Sequence, residues 1–434
     1  MSQPHQPTLT SDLDEPRNRL NIVLWVTYIF LIVSLGIMKA FAFIAPQSIS
    51  ATDFIFPLVA VLWVIGLLTG KLTLKWHNAY WLFALYFFGM FVSSIFSQNP
   101  TNSFGKLIGE GYLIGLAVIT FNLVRTEARM RTAILAWLTG TAIAILIGIV
   151  TVVLFYVRPD SWLLEHTTSI FGAVPVIPFP RVTSTFISAS MFCNYLTVGA
   201  ALIFILWKKK WIGTAGFIAA FAFIIASSFS TVAVGIGGMF LTIGLCVRYL
   251  NNGQAGHLSR LTFAGSLLIA FSFVAVSFVA LQHHSSAPYS IFVPFAGIEI
   301  FPSPRLMVWS ESLTTFRNNF FTGNGLNQPS ANVLFQNTDG HFSLLTDAHN
   351  TFLSIASQNG ITGLVAILAI CSYLLNLGLR PSPGSDKILV SGLTIAFASA
   401  FVYAGLTGSY EDSRHLWVLT GLLLGASKLG CSTQ

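Results

Sequence analysis

The chain has 434 residues, 54% of them hydrophobic and only 9% charged, with a mean hydropathy of +0.74. Soluble globular domains carry about a quarter charged residues, so this composition excludes an ordinary soluble protein. The net charge of +7 comes without any basic stretch interleaved with aromatics, which speaks against nucleic acid and for positive-inside sorting and attraction to anionic membrane lipids.

In chain order, residues 1–21 read as a cytoplasmic tail whose first 19 residues are polar and contain Pro. No small-residue cleavage site follows a short apolar core, so this is not a cleavable signal. Twelve apolar segments follow, at 22–44, 54–70, 79–97, 107–124, 132–157, 190–207, 211–227, 230–250, 261–281, 361–379, 388–407 and 415–430. They are continuous runs rather than alternating strands of about ten residues, which predicts helices and not a barrel. Lipid-facing backbone must be bonded internally, so the expected fold is all-α: a polytopic integral membrane protein with residues 22–434 as one transmembrane domain.

Orientation follows from the basic residues. Arg17 and Arg19 precede the first span, and alternation from there places 15 of the 22 Lys and Arg on the inside, among them Lys71, Lys75, Arg125, Lys208, Lys209, Lys210, Arg380 and Lys387. Both termini are therefore expected in the cytoplasm. Cys193, Cys246, Cys371 and Cys431 lie in or beside spans with no metal-ligand spacing, which reads as free, buried thiols.

Two outer loops are long, 158–189 and 282–360, and carry the aromatic, Pro-containing stretches SIFGAVPVIPFPRVTSTF and PYSIFVPFAGIEIFPSPRLMVWSES. Pro breaks them as helices, and loops of this length in a compact protein are usually functional. Within the second, Arg305 to Asn318 reads as an amphipathic helix, with Leu306, Trp309, Leu313 and Phe316 at three- and four-residue steps and Pro304 near its start. The Gly-rich FTGNGLN at 321–327 breaks it. Phe342 to Gln358 is expected to form a second helix, closed by the capping pair Asn359-Gly360.

Three outer-side residues share a chemical logic. Arg181, in PFPRVTSTF, and Arg305, in PSPRLMVWSES, place guanidiniums beside lipid, where they either pair with acids or receive an anion. Arginine's planar fork suits phosphate oxygens. His349, in DAHNTF, is an imidazole at the membrane edge. Each has a plainer reading: a hydrogen-bonded structural histidine, an ion pair from Arg305 to Glu299, and a snorkelling cation at Arg181. Glu311 is a poorer partner for Arg305, because six residues along a helix is about 240° round the axis.

Weaker candidates complete the reading. Glu110 lies one turn after Lys106, Lys39 ends the first span, Asp347 precedes the histidine by two, and Arg414 either closes the site or pairs with Glu411. The adjacent His283 and His284 point to different faces and do not suit chelation.

The spacing His349-Asn350, then nine residues to Gly360 and two more to Gly363, resembles the His-Asn-x9-Gly-x-x-Gly signature of the bacterial O-antigen ligase family. That family's second-loop pattern, an Arg followed four residues later by Trp and then a Gly-x-Gly, looks like Arg305, Trp309, Gly323 and Gly325. Its earlier pattern looks like Arg181 and Phe186, with Ser184 where Gly is common. The resemblance implies a GT-C-like membrane glycosyltransferase of the bacterial inner membrane, working at the periplasmic face without metal or cofactor. It implies transfer of a glycan from undecaprenyl pyrophosphate to lipid A–core, with inversion. His349 would be the general base, a task suited to histidine, whose unperturbed pKa is about 6.5. Arg305 and Arg181 would hold the pyrophosphate, while Asn350, Trp309, Gly360 and Gly363 would support them.

Rival readings are an O-antigen or exopolysaccharide polymerase joining two lipid-linked glycans, a protein O-oligosaccharyltransferase, and a polysaccharide or lipid transporter. A transporter is expected to show paired halves with broken helices at matching positions, and no such symmetry is present in the sequence.

Overall fold

The structure, a computed structural model, describes residues 19–39, 50–169, 180–228, 233–250, 260, 264–265, 267–268, 291–293, 298–300, 305–336, 342–407 and 413–429. It is mostly helical. The helices are α1 (Arg19–Ser34), α2 (Ala51–Leu68), α3 (Ala79–Ile95), α4 (Pro100–Leu123), α5 (Glu127–Val157), α6 (Trp162–Thr167), α7 (Ala189–Lys208), α8 (Thr214–Ser228) and α9 (Ala233–Leu250). Then come the short strands β1 (Ile291–Val293) and β2 (Ile298–Ile300), helix α10 (Arg305–Asn318), and strands β3 (Val333–Gln336) and β4 (Phe342–Leu345). Helices α11 (Thr351–Leu379), α12 (Lys387–Thr407) and α13 (Arg414–Ala426) complete the order.

Polar residues start these helices as capping chemistry requires. The Asn99 side chain accepts the Asn102 N–H at 3.2 Å, Thr126 accepts that of Arg129 at 3.2 Å, and Ser188 accepts that of Met191 at 3.2 Å. Among the described residues, six helices are long and apolar enough to cross a membrane: α2, α4, α5, α7, α11 and the Lys387–Gly405 part of α12. Helices α1, α3 and α8 are apolar but shorter. This is a helical membrane protein.

Helix α7 is the axis of the bundle. In its apolar window 94% of residues are buried, against 17% for α2, so α7 is surrounded by protein while α2 presents its side chains outward. It packs against α5, α8, α9 and α12. Helix α13 is buried from His415 to Ala426 and lies against α4 and α12. Cys193, Cys246 and Cys371 are free and buried, and Cys431 lies outside the described residues.

The two ends of the bundle differ chemically. At one end α7 finishes, α5 begins and α12 begins. There Lys209 bridges Glu127 at 2.6 Å and Asp386 at 2.5 Å, and Arg129 sits 5.1 Å from the centre of the Trp25 ring. At the other end α7 begins, α12 finishes, and the loops bearing Arg181 and Arg305 lie.

Helices occupy the expected segments, apart from 261–281, which lies largely outside the described residues, and some boundaries move. Helix α1 stops at Ser34, well short of residue 44. Beyond it, Lys39 is held by protein groups. Its ammonium donates to the His166 carbonyl at 2.7 Å and meets the Thr183 hydroxyl at 3.0 Å, while its N–H donates to the Thr185 carbonyl at 2.8 Å.

The second outer-loop helix is also corrected. Residues Phe342 to Leu345 are strand β4, antiparallel to β3, with Leu334 opposite Leu344 and Gln336 opposite Phe342. Helix begins only at Thr351, where the Asn350 side chain accepts the N–H groups of Phe352 at 3.0 Å and Leu353 at 3.2 Å. Local apolar content favoured helix over 342–350, but pairing with β3 and an N-cap at Asn350 decide otherwise. The region of His283 and His284, Pro304 and Glu411 lie outside the described residues.

Candidate functional site

His349 stands at the join between the β4 strand and α11, in a loop fixed at three consecutive residues. The Asp347 carboxylate accepts the His349 N–H at 3.0 Å and lies 3.2 Å from its Nδ1. The Ala348 carbonyl accepts Nε1–H of Trp309 at 2.8 Å. Asn350 caps the helix. His349 itself has φ +46, a conformation sparsely populated by residues other than glycine and held here by those flanking bonds. Its side chain is 53% exposed, so the imidazole is open to an incoming group.

Arg305 opens α10, and Trp309 follows one turn later on the same helix, so one rigid element carries both a guanidinium and the donor that holds the histidine loop. Arg305 is half-buried and lies within electrostatic reach of Tyr403, Arg181 and Asp347. Burial and the neighbouring Arg181 charge pull its pKa below the ordinary arginine value, opposed by Tyr403 and Asp347. It stays charged at neutral pH, as arginine does. Glu299 lies in β2, and its side chain is outside the described ones.

Arg181 comes from the other long loop. Its carbonyl accepts the Ser169 N–H at 2.8 Å, and Val182 bridges Thr168. Two residues on, Ser184 has φ +52, the conformation glycine favours, and its hydroxyl donates to the Ala144 carbonyl at 2.6 Å. Phe186 is fully buried and stacks on Phe192 at 5.5 Å. The backbone is thus pinned to α5 and α7. The Arg181 side chain is half-buried, its Nε has no hydrogen-bond partner among the described residues, and burial pulls its pKa down, partly offset by Tyr403.

Asp347 shows the opposite balance. Partial burial pushes its carboxyl up, but the His349 imidazole, the His349 N–H and the Ser354 hydroxyl outweigh that and hold it below the usual carboxylate value.

Gly360 lies ten residues after Asn350. It has φ +64 and ψ −164, which breaks α11 into a short segment bearing the cap and a long one. Only glycine adopts that geometry readily. The break leaves carbonyls of the preceding turn without helical partners, and the Gly323-Asn324-Gly325 turn takes them. Asn324 N–H donates to the Ser357 carbonyl at 2.9 Å and Gly325 N–H to that of Gln358 at 3.1 Å, which also accepts the Ser93 hydroxyl at 2.6 Å. In return Ile361 N–H donates to the Phe320 carbonyl at 2.8 Å. A Cβ on Gly323 would overlap the Gln358 carbonyl. Gly363, three residues after the break, is buried where α11 packs on α3.

The weaker candidates take structural places. Glu110 is buried 3.6 Å from Lys106, one turn away. Arg414 forms a two-pronged pair with Asp53 of α2, both contacts at 2.7 Å. Tyr403, a buried tyrosine near the end of α12, carried no local signal in the sequence. Among the described residues no three His, Cys, Asp or Glu side chains gather as a metal site.

The arrangement thus places His349 on a fixed loop whose Asp347 carboxylate lies within electrostatic reach of Arg305, as does Arg181. No known protein-family model matches the sequence, and no curated protein matches it.

Proposed function

We propose that this protein is an O-antigen ligase of the bacterial inner membrane, with a GT-C-like arrangement of about twelve spans and its site at the periplasmic face. It transfers a glycan from undecaprenyl pyrophosphate to a hydroxyl of lipid A–core. One observation carries the reading: Arg181 and Arg305 share an electrostatic environment although like charges repel, and the same environment includes the carboxylate that holds His349. Two guanidiniums drawn together with one carboxylate, itself engaged by the histidine, form a receptor for an anion. The two guanidiniums outweigh the single carboxylate, and that excess positive charge attracts a pyrophosphate diester.

In this reading His349 takes the proton of the acceptor hydroxyl as that oxygen attacks the anomeric carbon. The bond from that carbon to the pyrophosphate oxygen breaks on the opposite face, and the electron pair leaves with undecaprenyl pyrophosphate, whose charge Arg305 and Arg181 stabilise. Attack opposite the leaving group inverts the anomeric configuration. Basic residues gathered at the far end of the bundle, around Lys209 and Trp25, support an orientation with that end in the cytoplasm.

The test supplies purified protein with undecaprenyl-pyrophosphate glycan and either lipid A–core or a second lipid-linked glycan. Glycosylated lipid A–core supports the ligase. Longer lipid-linked chains as the sole product make the protein a polymerase instead.

A further inference from the structure

Lys39, just beyond the end of α1, is a half-buried cation whose partners are neutral. Its ammonium meets the His166 carbonyl at 2.7 Å and the Thr183 hydroxyl at 3.0 Å, and no carboxylate pairs with it among the described residues. A lysine that served only as a membrane-edge charge would reach for water or head groups. This one engages the loop that carries Arg181. Its backbone does the same: the Lys39 N–H donates to the Thr185 carbonyl at 2.8 Å, and the Thr185 hydroxyl donates to the Gly36 carbonyl at 2.6 Å. The turn that leads to Lys39 is itself seated on α5, since a Cβ on Gly36 would come within 2.5 Å of the Gly140 carbonyl oxygen.

The ammonium contact falls on the side of the chain from which the guanidinium projects. Residues 181–183 are extended: the Arg181 carbonyl accepts the Ser169 N–H at 2.8 Å and the Thr183 N–H donates to the Thr167 carbonyl at 2.8 Å, across the Thr168–Val182 bridge. In extended chain, side chains two residues apart leave the same face, about 7 Å from each other, so Arg181 and Thr183 share one face and the buried Val182 takes the other. The next residue, Ser184, is held at φ +52, a conformation that needs support from its surroundings. We propose that Lys39 is a positioning residue of the anion site: its ammonium ties the Arg181-bearing face of the 181–183 segment to the end of α1 and to His166, and so sets where the guanidinium meets a phosphate or diphosphate group. This rests on the anion-receptor reading given above and adds to it a residue that acts through Arg181 rather than on the anion itself.

The test titrates inorganic pyrophosphate into the full-length protein in detergent, following the thermal midpoint, for wild type, Lys39→Met, Arg181→Met and the double variant. Wild type is expected to be stabilised by pyrophosphate. Lys39→Met keeps the length of the stem and loses the donor, and should need roughly tenfold more pyrophosphate for the same shift, as befits loss of hydrogen bonds from a charged group. In the Arg181→Met background the same change should cost nothing further, because the residue it positions is gone. A general loss of structure would not show that dependence on Arg181. Losses that add in the double variant, or equal titrations for wild type and Lys39→Met, overturn the role of Lys39 and leave the arginine site standing. A wild type that does not respond to pyrophosphate overturns both. Should Lys39→Met melt too low to titrate, Thr183→Val decides by the same comparison: it leaves the lysine in place and removes its hydroxyl partner, so a weaker response that vanishes in the Arg181→Met background supports the clamp, and a wild-type response overturns it.

Discussion

Asp347 and His349 are bonded twice, once through the His349 N–H at 3.0 Å and once through the imidazole Nδ1 at 3.2 Å. An ionised carboxylate only accepts, so Nδ1 carries the proton and Nε2 keeps the lone pair that a general base needs. His349→Ala is expected to lower kcat by about 10²–10⁴-fold, the usual contribution of such a group, with folded protein retained in detergent. Asp347→Asn should lower it less, because an amide presented to Nδ1 no longer enforces the tautomer. Undiminished turnover in His349→Ala would remove the histidine from the chemistry.

The same pair predicts a pH dependence of stability. The Asp347 carboxyl titrates lower in the folded protein than in the unfolded chain, where the ordinary value is about 3.9. Its contribution is therefore fully present above that value and is lost as pH falls through the lower folded one. Thermal midpoints of wild type and Asp347→Asn, measured from about pH 5 downward, should differ by an amount that shrinks through the carboxylate range and vanishes below it. A gap that widens on acidification would contradict this sign.

Trp309 acts on the histidine through one bond to the Ala348 carbonyl. Trp309→Phe keeps an aromatic ring and loses that donor, which is expected to cost about 1 kcal/mol of stability. Because the lost bond holds the residue before His349, kcat should fall by more than the small change in melting would indicate. Wild-type kcat in Trp309→Phe would show that the loop holds its shape without it.

Gly360 is a sensitive backbone position in this region. Alanine there must adopt φ +64 and ψ −164, costing on the order of 1–3 kcal/mol, and its Cβ would come within 2.5 Å of the Phe321 backbone. Gly360→Ala should both destabilise the protein and abolish activity. Gly109→Ala in α4, where an added Cβ meets nothing within 4 Å, should be silent in the same melting and activity measurements.

Much of the architecture could be read from the chain because long apolar runs leave lipid-crossing helices little choice. Helix α10 was equally legible, since its three- and four-residue periodicity is local and begins and ends where expected, at Arg305 and Asn318. The β3–β4 hairpin was not. FSLL fits a helix as well as a strand, and what selects the strand is VLFQ nine residues earlier. Partners distant in sequence stayed hidden for the same reason. Lys39 meets Thr183 across 144 positions and Arg414 meets Asp53 across 361, so neither pair leaves a local pattern. The Arg305 and Trp309 spacing was visible, but the acceptor of Trp309 lies 39 residues on. Asn350 was visible too. As a good N-cap before Thr-Phe-Leu, it marked the true start of α11, which the apolar run upstream obscured.

The break at Gly360 separates two mechanical duties. The stretch from Thr351 to the break is bolted to α3 through Ser93 and to the 320–325 turn, while the longer remainder of α11 buries Ala366, Ile367, Ile370 and Leu374 within the bundle. One glycine therefore lets the turn that carries the imidazole and the apolar length of the same helix take separate directions, each set by its own packing.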